Sequence, residues 1–302
     1  MKSHNEVLPF SFPGEITLTI KREDQIHPFL SGNKFRKMYY NLEQARNEGY
    51  NKLLTFGGAF SNHIAAVAAA GAHFGLETIG VIRGEELEDQ IRDNATLRLA
   101  QQQGMKFDFV SREAYRDKEE VYFLESLKVK HGAFYLLPEG GTNALAVKGC
   151  EEILDDTDRT VFTHICCAVG TGGTISGLIN SCGEKQRVIG FPALKGSFLS
   201  EEICKFVNND RWNLINDYHF GGYAKINAEL VRFINTFYAE TNIMLDPVYT
   251  AKMAFGILDL IKKGYFPEKS AILMIHTGGL QGVEGMNKVL TRKKLPLIIE
   301  MK

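Results

Sequence analysis

The sequence predicts an α/β protein with open, mainly parallel twisted sheets flanked by helices, and three observations predict it. From Asn51 onward, segments that read as strands and as helices alternate, the pattern of parallel strands joined by right-handed helical crossovers. Residues 161–169 (VFTHICCAV) form an apolar run rich in β-branched residues and Cys. It is too short for a buried helix and reads as a central strand covered on both faces. Four turns, 57–62, 138–143, 170–174 and 276–279, are rich in Gly with Ser, Thr or Asn. In open α/β sheets such turns gather at the carboxyl ends of strands, where ligands bind.

In chain order, residues 15–22 alternate (EITLTIKR) and are expected to form a strand at a sheet edge, with 27–30 as a connection. Ser31 is the expected N-cap of a helix over 35–46, which Gly49 stops. Lys34 and Lys37 then share one face of its first turns. Two cations there oppose the helix dipole at about 0.3–1 kcal/mol each if exposed, so their placement asks for a reason; two solvated lysines are the plain alternative. Next come a strand at 52–56 and an Ala-rich helix at 63–74 capped by Ser61 or Asn62. A strand at 78–82, a helix at 94–103, a strand at 106–110, a helix at 118–130, a strand at 134–137 and a helix at 144–154 follow. The acidic stretch 155–158 (DDTD) is expected to be a loop and a lobe boundary. Beyond the strand 161–169 the sequence predicts a helix from Ile175, a strand at 188–191, a helix at 200–207 and a loop at 218–223. Helices at 227–241 and 249–262 and a last buried strand at 271–275 complete the series.

The 302 residues are 44% hydrophobic and 24% charged, enough for a large core that splits into two lobes. With 35 basic and 36 acidic residues the formal net charge is −1, so no global field recruits nucleic acid or a membrane. Arg292, Lys293 and Lys294 read as a solvated helix end. No signal sequence and no apolar segment of about 18 residues is evident, and a cytoplasmic protein is expected. Five cysteines without a C-x-x-C, and histidines without H-E-x-x-H, indicate neither a disulfide framework nor a metal site.

The turn after the strand at 161–169 carries the chemistry. Gly170, Gly172 and Gly173 allow close backbone approach to a ligand, and Thr171 and Thr174 add hydroxyls where a helix begins. Free N–H groups and the positive helix end suit a phosphate. The nucleotide P-loop spacing fails for want of its Lys. The dinucleotide fingerprint would need Gly at position 175, which is Ile175, although Lys195 could meet a 2′-phosphate. A Gly-rich turn with no ligand is the remaining alternative.

Five motifs, SGNKFRK (31–37), GGAFSNH (57–63), VGTGGT (169–174), DPVYT (246–250) and HTGG (276–279), together resemble a known family. It is that of the pyridoxal-phosphate enzymes of the tryptophan-synthase-β-like fold, in the branch of 1-aminocyclopropane-1-carboxylate (ACC) deaminase and D-cysteine desulfhydrase. The motifs keep family order over nearly the whole chain. The resemblance implies pyridoxal 5′-phosphate as cofactor, a small amino acid as substrate, and a homodimer. It implies a larger domain of residues 1–44 and 156–302 with a smaller α/β domain, 45–155, inserted in it.

It further implies that Lys34 forms the Schiff base with the cofactor and moves the substrate proton, a role suited to a lysine of lowered pKa. Lys37 would contact the cofactor phosphate with Gly170, Thr171, Gly172, Gly173 and Thr174, which would account for two lysines at a helix start. Asn62 would meet the ring hydroxyl and Ser61 the substrate carboxylate or reacting carbons, with simple helix capping as the alternative for both. Tyr223 and Tyr249 would flank the substrate, where a phenol orients a leaving group or passes a proton.

Relatives that are ACC deaminases carry Glu at the position of Thr250 and Leu at that of Thr277, whereas D-cysteine desulfhydrases carry Thr at both, as here. A carboxylate beside the pyridine nitrogen strengthens the electron sink needed to open a cyclopropane; a neutral hydroxyl suffices when a thiol leaves. The resemblance therefore favours α,β-elimination of D-cysteine, with ACC deaminase or another small amino acid lyase or racemase as the alternative. A non-catalytic protein binding a phosphate or nucleotide at the 170–174 turn is the alternative of another class. Phe60 departs from the family, which usually shows Gln there, and is expected to alter carboxylate recognition or enlarge an apolar wall.

Overall fold

Two sheets organise the computed structural model, which describes residues 2–27, 30, 32–196 and 198–299. The larger is built from β1 (Asn5–Val7), β2 (Thr17–Lys21), β7 (His164–Val169), β8 (Arg187–Pro192), β9 (Trp212–Leu214) and β10 (Ala271–Ile275), in the spatial order β1-β2-β10-β7-β8-β9. The smaller comprises β3 (Lys52–Gly57), β4 (Glu77–Arg83), β5 (Lys106–Val110) and β6 (Tyr135–Leu137), in the order β5-β4-β3-β6. All neighbours pair parallel except β1 with β2. Parallel strands need helical crossovers, and these cover both faces of each sheet.

The period of two in each strand sorts its side chains between two cores. From β7, β8 and β10, Cys166, Ala168, Ile189, Phe191, Ile272 and Met274 join the core containing α9 (Ala228–Thr241) and α10 (Thr250–Lys262). Their neighbours Ile165, Cys167, Val169, Val188, Leu273 and Ile275 face α7 (Gly173–Ser181) on the other side. In the smaller sheet Leu53 and Ile82 pack with α2 (Asn62–Phe74) and α3 (Ala95–Gln102). Leu54, Phe56, Ile79 and Val81 pack with α4 (Val121–His131). Between the sheets run α1 (Asn33–Asn47) and α5 (Ala144–Glu151), which cross so closely that a Cβ at Gly149 would lie 2.0 Å from the Arg36 carbonyl oxygen.

Several expectations change. The strand at 15–22 is not an edge: β2 lies between β1 and β10, because a three-residue strand, too short to show a pattern, covers it. Ser31 lies outside the described residues; α1 follows Gly32 with no side-chain cap. The acidic stretch 155–158 is not a loop but the start of α6 (Asp156–Val161), in which Asp155 and Asp158 form a reciprocal capping box. Val161 ends that helix, so the buried strand begins only at His164. β1, β9 and α11 (Gly282–Arg292) had no sequence expectation, and α8 (Phe198–Cys204) starts two residues early.

Candidate active site

At the carboxyl ends of β3, β6, β7 and β10 the four Gly-rich turns line one cavity of about 440 Å³. Ser61 and Asn62, Gly140, Gly170 to Gly172, and Thr277 to Gly279 form its walls, joined by Lys34, Lys37, Thr174, Tyr223 and Tyr249. Of the residues expected at the site, Gly173 and Thr250 do not line it.

Close approach brings the first turn of α1 to this cavity. Gly32 has φ +67°, and a Cβ there would lie 1.9 Å from the Thr277 carbonyl oxygen, so only glycine fits. Behind it, Arg36 donates to both carboxylate oxygens of the fully buried Glu23 at 3.0 Å each, anchoring the helix. Lys34 Nζ donates to the Gly140 carbonyl at 3.4 Å. Lys37 Nζ donates to the same carbonyl at 3.0 Å and to Thr142 Oγ1 at 2.9 Å. These acceptors are neutral, and neither lysine has an ion pair among the described residues. Lys37 is 3% exposed and Lys34 half-buried, so neither is a solvated surface group. Burial lowers the pKa of both, that of Lys34 to well below the ordinary lysine value, with the charge of Lys37 adding to the effect.

Opposite them, α7 begins with no side-chain cap on its free N–H groups. A Cβ at Gly173 would stand 2.8 Å from Thr142 Oγ1 and 3.1 Å from Lys37 Nζ, filling the space before the ammonium. Gly173 thus acts by what it omits, behind the lining. Asn33 Nδ2 donates to Thr174 Oγ1 at 2.7 Å, tying α1 to α7. A helix N-terminus, the buried Lys37 ammonium with no ion pair among the described residues and a space kept open by glycine suit a phosphate dianion.

Ser61 caps α2, its Oγ accepting from the backbone N–H groups of His63 at 3.2 Å and Ile64 at 3.4 Å. Asn62 Oδ1 accepts from Gln281 Nε2 at 3.1 Å. The rings of Tyr223 and Tyr249 meet edge to face with centroids 6.2 Å apart, and burial raises both phenol pKa values, that of Tyr249 strongly. Thr250 turns away: fully buried, its hydroxyl donates to Asp246 Oδ2 at 3.0 Å and accepts the Asp246 N–H at 2.8 Å. The Asp246 carboxylate also accepts from the N–H groups of Val248, Tyr249 and Thr250, so DPVYT is a self-bonded turn that aims Tyr249. Thr277 remains on the wall. The Phe60 ring is 53% exposed and outside the lining, while its carbonyl accepts from Tyr223 Oη at 3.4 Å.

Four lining or supporting residues had no sequence role. His63, 2% exposed, shares a 2.9 Å hydrogen bond between Nε2 and Thr55 Oγ1, and burial beside Lys34 and Lys37 holds its pKa well below the ordinary value. Gly140 and Thr142 receive the lysines; their turn was visible as Gly-rich, yet nothing local to it points at α1. Asp24 lines the cavity with its carboxylate bound by Arg22 Nε and Nη2 at 2.9 and 2.8 Å.

A family model described as pyridoxal-phosphate dependent enzyme matches residues 10–278. A Pyrococcus horikoshii protein provisionally called an ACC deaminase is 32% identical over 281 residues, 87% of this chain and 84% of its own. The Arabidopsis thaliana bifunctional D-cysteine desulfhydrase/ACC deaminase, a mitochondrial protein, is 29% identical over 315 residues, 93% of this chain and 76% of its own. A crystal structure described as an ACC deaminase homologue superposes with a TM-score of 0.82 at 29% identity, over 96% of this chain and 94% of that one. Agreement of this extent, over a cavity that suits a phosphate, leaves one conclusion. The chain belongs to the pyridoxal-phosphate dependent enzymes of the tryptophan-synthase-β-like fold, within the ACC deaminase and D-cysteine desulfhydrase family, and its cofactor is pyridoxal 5′-phosphate.

Proposed function

We propose that this enzyme catalyses α,β-elimination of D-cysteine, which with one water gives pyruvate, ammonia and sulfide. The observation that carries this reading is the absence of an unengaged carboxylate on the cavity wall among the described residues. Thr277 is neutral, Thr250 is spent on Asp246, and Asp24 is bound by Arg22. Such a site suits departure of a thiol better than opening of a cyclopropane.

Lys34 Nζ would hold the cofactor aldehyde carbon, Lys37 and the 170–174 turn its phosphate, and Asn62 its ring hydroxyl. Pyridoxal phosphate, when bound, draws electrons from the substrate α-carbon and so makes its proton removable. Lys34, its pKa lowered by burial and by Lys37, supplies the free amine that accepts that proton at Nζ. Ser61 Oγ orients the substrate carboxylate. Tyr223 and Tyr249 keep their phenol protons because burial raises their pKa, and one of them donates to the departing sulfur. We also divide the chain into a domain of residues 1–44 with 156–302 and an inserted domain of 45–155. In support, the strands of the smaller sheet all fall between Lys52 and Leu137.

Sulfide and pyruvate release from D-cysteine, measured beside ammonia release from ACC, tests the reading. D-cysteine turnover that disappears in Lys34→Ala is the expected result; substantial turnover in that variant overturns the role of Lys34. Faster consumption of ACC would favour the second reading, ACC deamination, which the names of the relatives support.

A further inference from the structure

Tyr223 stands on a loop outside the regular elements, which the Phe220 ring seats edge to face on Phe255 of α10 with centroids 5.0 Å apart. After the 3₁₀ turn Asn216–Tyr218 the chain passes Phe220, Gly221 and Gly222 at φ of 51°, 97° and 113°. Backbone of this kind samples many conformations unless something outside it decides. One long side chain from another element reaches in. Lys252, in the first turn of α10 and 1% exposed, donates from Nζ to the carbonyls of His219 at 2.9 Å and Gly222 at 2.8 Å. It has no ion pair among the described residues. An ammonium buried on two carbonyls carries a desolvation cost that an apolar side chain would avoid, so packing alone does not account for it. The same helix begins directly after Tyr249, whose ring meets that of Tyr223.

We propose that Lys252 is the positioning residue for Tyr223: its ammonium clamps the two carbonyls of the 219–222 loop, so that α10 sets both phenols, Tyr249 by chain continuity and Tyr223 through the clamp. The proposal rests on the reading of Tyr223 as a site residue. The charged groups around the clamp are few. Asp246 attracts the ammonium, and the stems of Lys195 and Lys225 pass Gly222 and Gly221. The His219 ring is engaged by the Gly221 N–H at 2.9 Å. Burial lowers the Lys252 pKa to about 8, so the clamp is charged at neutral pH and weakens above that as its charge is lost.

The test compares holoenzyme carrying Lys252→Met, Lys252→Arg, Tyr223→Phe, and Lys252→Met with Tyr223→Phe, by D-cysteine kinetics and amide hydrogen exchange. In Lys252→Met, kcat/KM is expected to fall by about tenfold or more, the scale of a lost charge-assisted hydrogen bond. The double variant is expected to lose no more than Tyr223→Phe alone, and exchange in residues 219–225 to quicken several-fold. Wild-type activity is expected to fall above about pH 8, and that fall should vanish in Lys252→Met and move to higher pH in Lys252→Arg, which keeps its charge. Unchanged exchange at 219–225, or losses that multiply in the double variant, would overturn the proposal. Should Lys252→Met not fold, exchange of the wild-type loop across that pH range decides: quickening beyond that of other loops supports the clamp, and parallel behaviour refutes it. A Tyr223→Phe enzyme with undiminished turnover removes Tyr223 from the reaction and this positioning role with it; substantial D-cysteine turnover in Lys34→Ala instead defeats the proposed reaction while leaving the exchange result intact.

Discussion

Lys34 and Lys37 lie three residues apart on α1, share the Gly140 carbonyl, and meet no carboxylate among the described residues. If Lys37 holds the cofactor phosphate as proposed, replacing it by Met removes a charge-assisted contact worth about 1.5–3 kcal/mol. Cofactor dissociation measured by equilibrium dialysis should weaken correspondingly while the fold persists. His63 supplies a pH signature. Its folded pKa is depressed by burial and the two lysines, so below the unfolded value of about 6.5 the unfolded chain binds the extra proton. Stability contributed by the neutral imidazole is therefore present above that pH and lost as pH falls through it, by up to about 1.4 kcal/mol per unit. Denaturant melts of His63→Asn should show a shallower acid decline than wild type between about pH 6.5 and 5. A parallel decline would show that this imidazole does not carry the effect.

Single residues act here because elements meet at short range. α1 crosses α5 at Gly149, where a methyl group would overlap the Arg36 carbonyl. Gly149→Ala should cost about 1–3 kcal/mol as an overpacking change, and the displaced helix is the one that carries both lysines. Calorimetry and cofactor affinity should both register the change; a stability loss with unaltered cofactor affinity would mean that α1 tolerates the shift. The capping box of α6 illustrates why an element can be missed. Asp155, Asp156 and Asp158 look like a solvated acidic run, yet Asp155 accepts the Asp158 N–H at 2.9 Å and Asp158 returns the bond at 3.0 Å. The D-x-x-D spacing held that signal, but four polar residues offer no apolar period to accompany it.

At the scale of the whole molecule, Asp158 has a second partner far along the chain. Lys21, at the end of β2 and 1% exposed, donates to Asp158 Oδ2 at 2.6 Å, and Asn5 of β1 donates to Oδ1 at 2.7 Å. The triad ties the N-terminal strands to the segment that re-enters the larger sheet. Asp158→Ala leaves the buried Lys21 ammonium with only the longer, partly exposed ion pair to Asp155 Oδ2 at 3.9 Å, an expected loss of about 3–5 kcal/mol. Denaturant unfolding of the variant measures it; a loss under about 1 kcal/mol would mean that water reaches Lys21 as readily as at a surface ion pair. The pairing was invisible in the sequence because the positions are 137 residues apart, and a lysine inside ITLTIK reads as the solvent face of an edge strand.

The sequence by itself determined the alternation of strands and helices, the four Gly-rich turns at strand ends, and five motifs in family order, because hydrophobic period, glycine placement and motif spacing are local properties of a chain. Tertiary structure alone decided where those residues point. It turned the Thr250 hydroxyl onto Asp246 and away from the cavity, and it buried two lysines against one carbonyl from a turn more than 100 residues distant. It also placed Lys252 under the loop of Tyr223. Desolvation and long-range hydrogen bonding depend on which surfaces meet, and that is settled only when the two sheets close around the cavity.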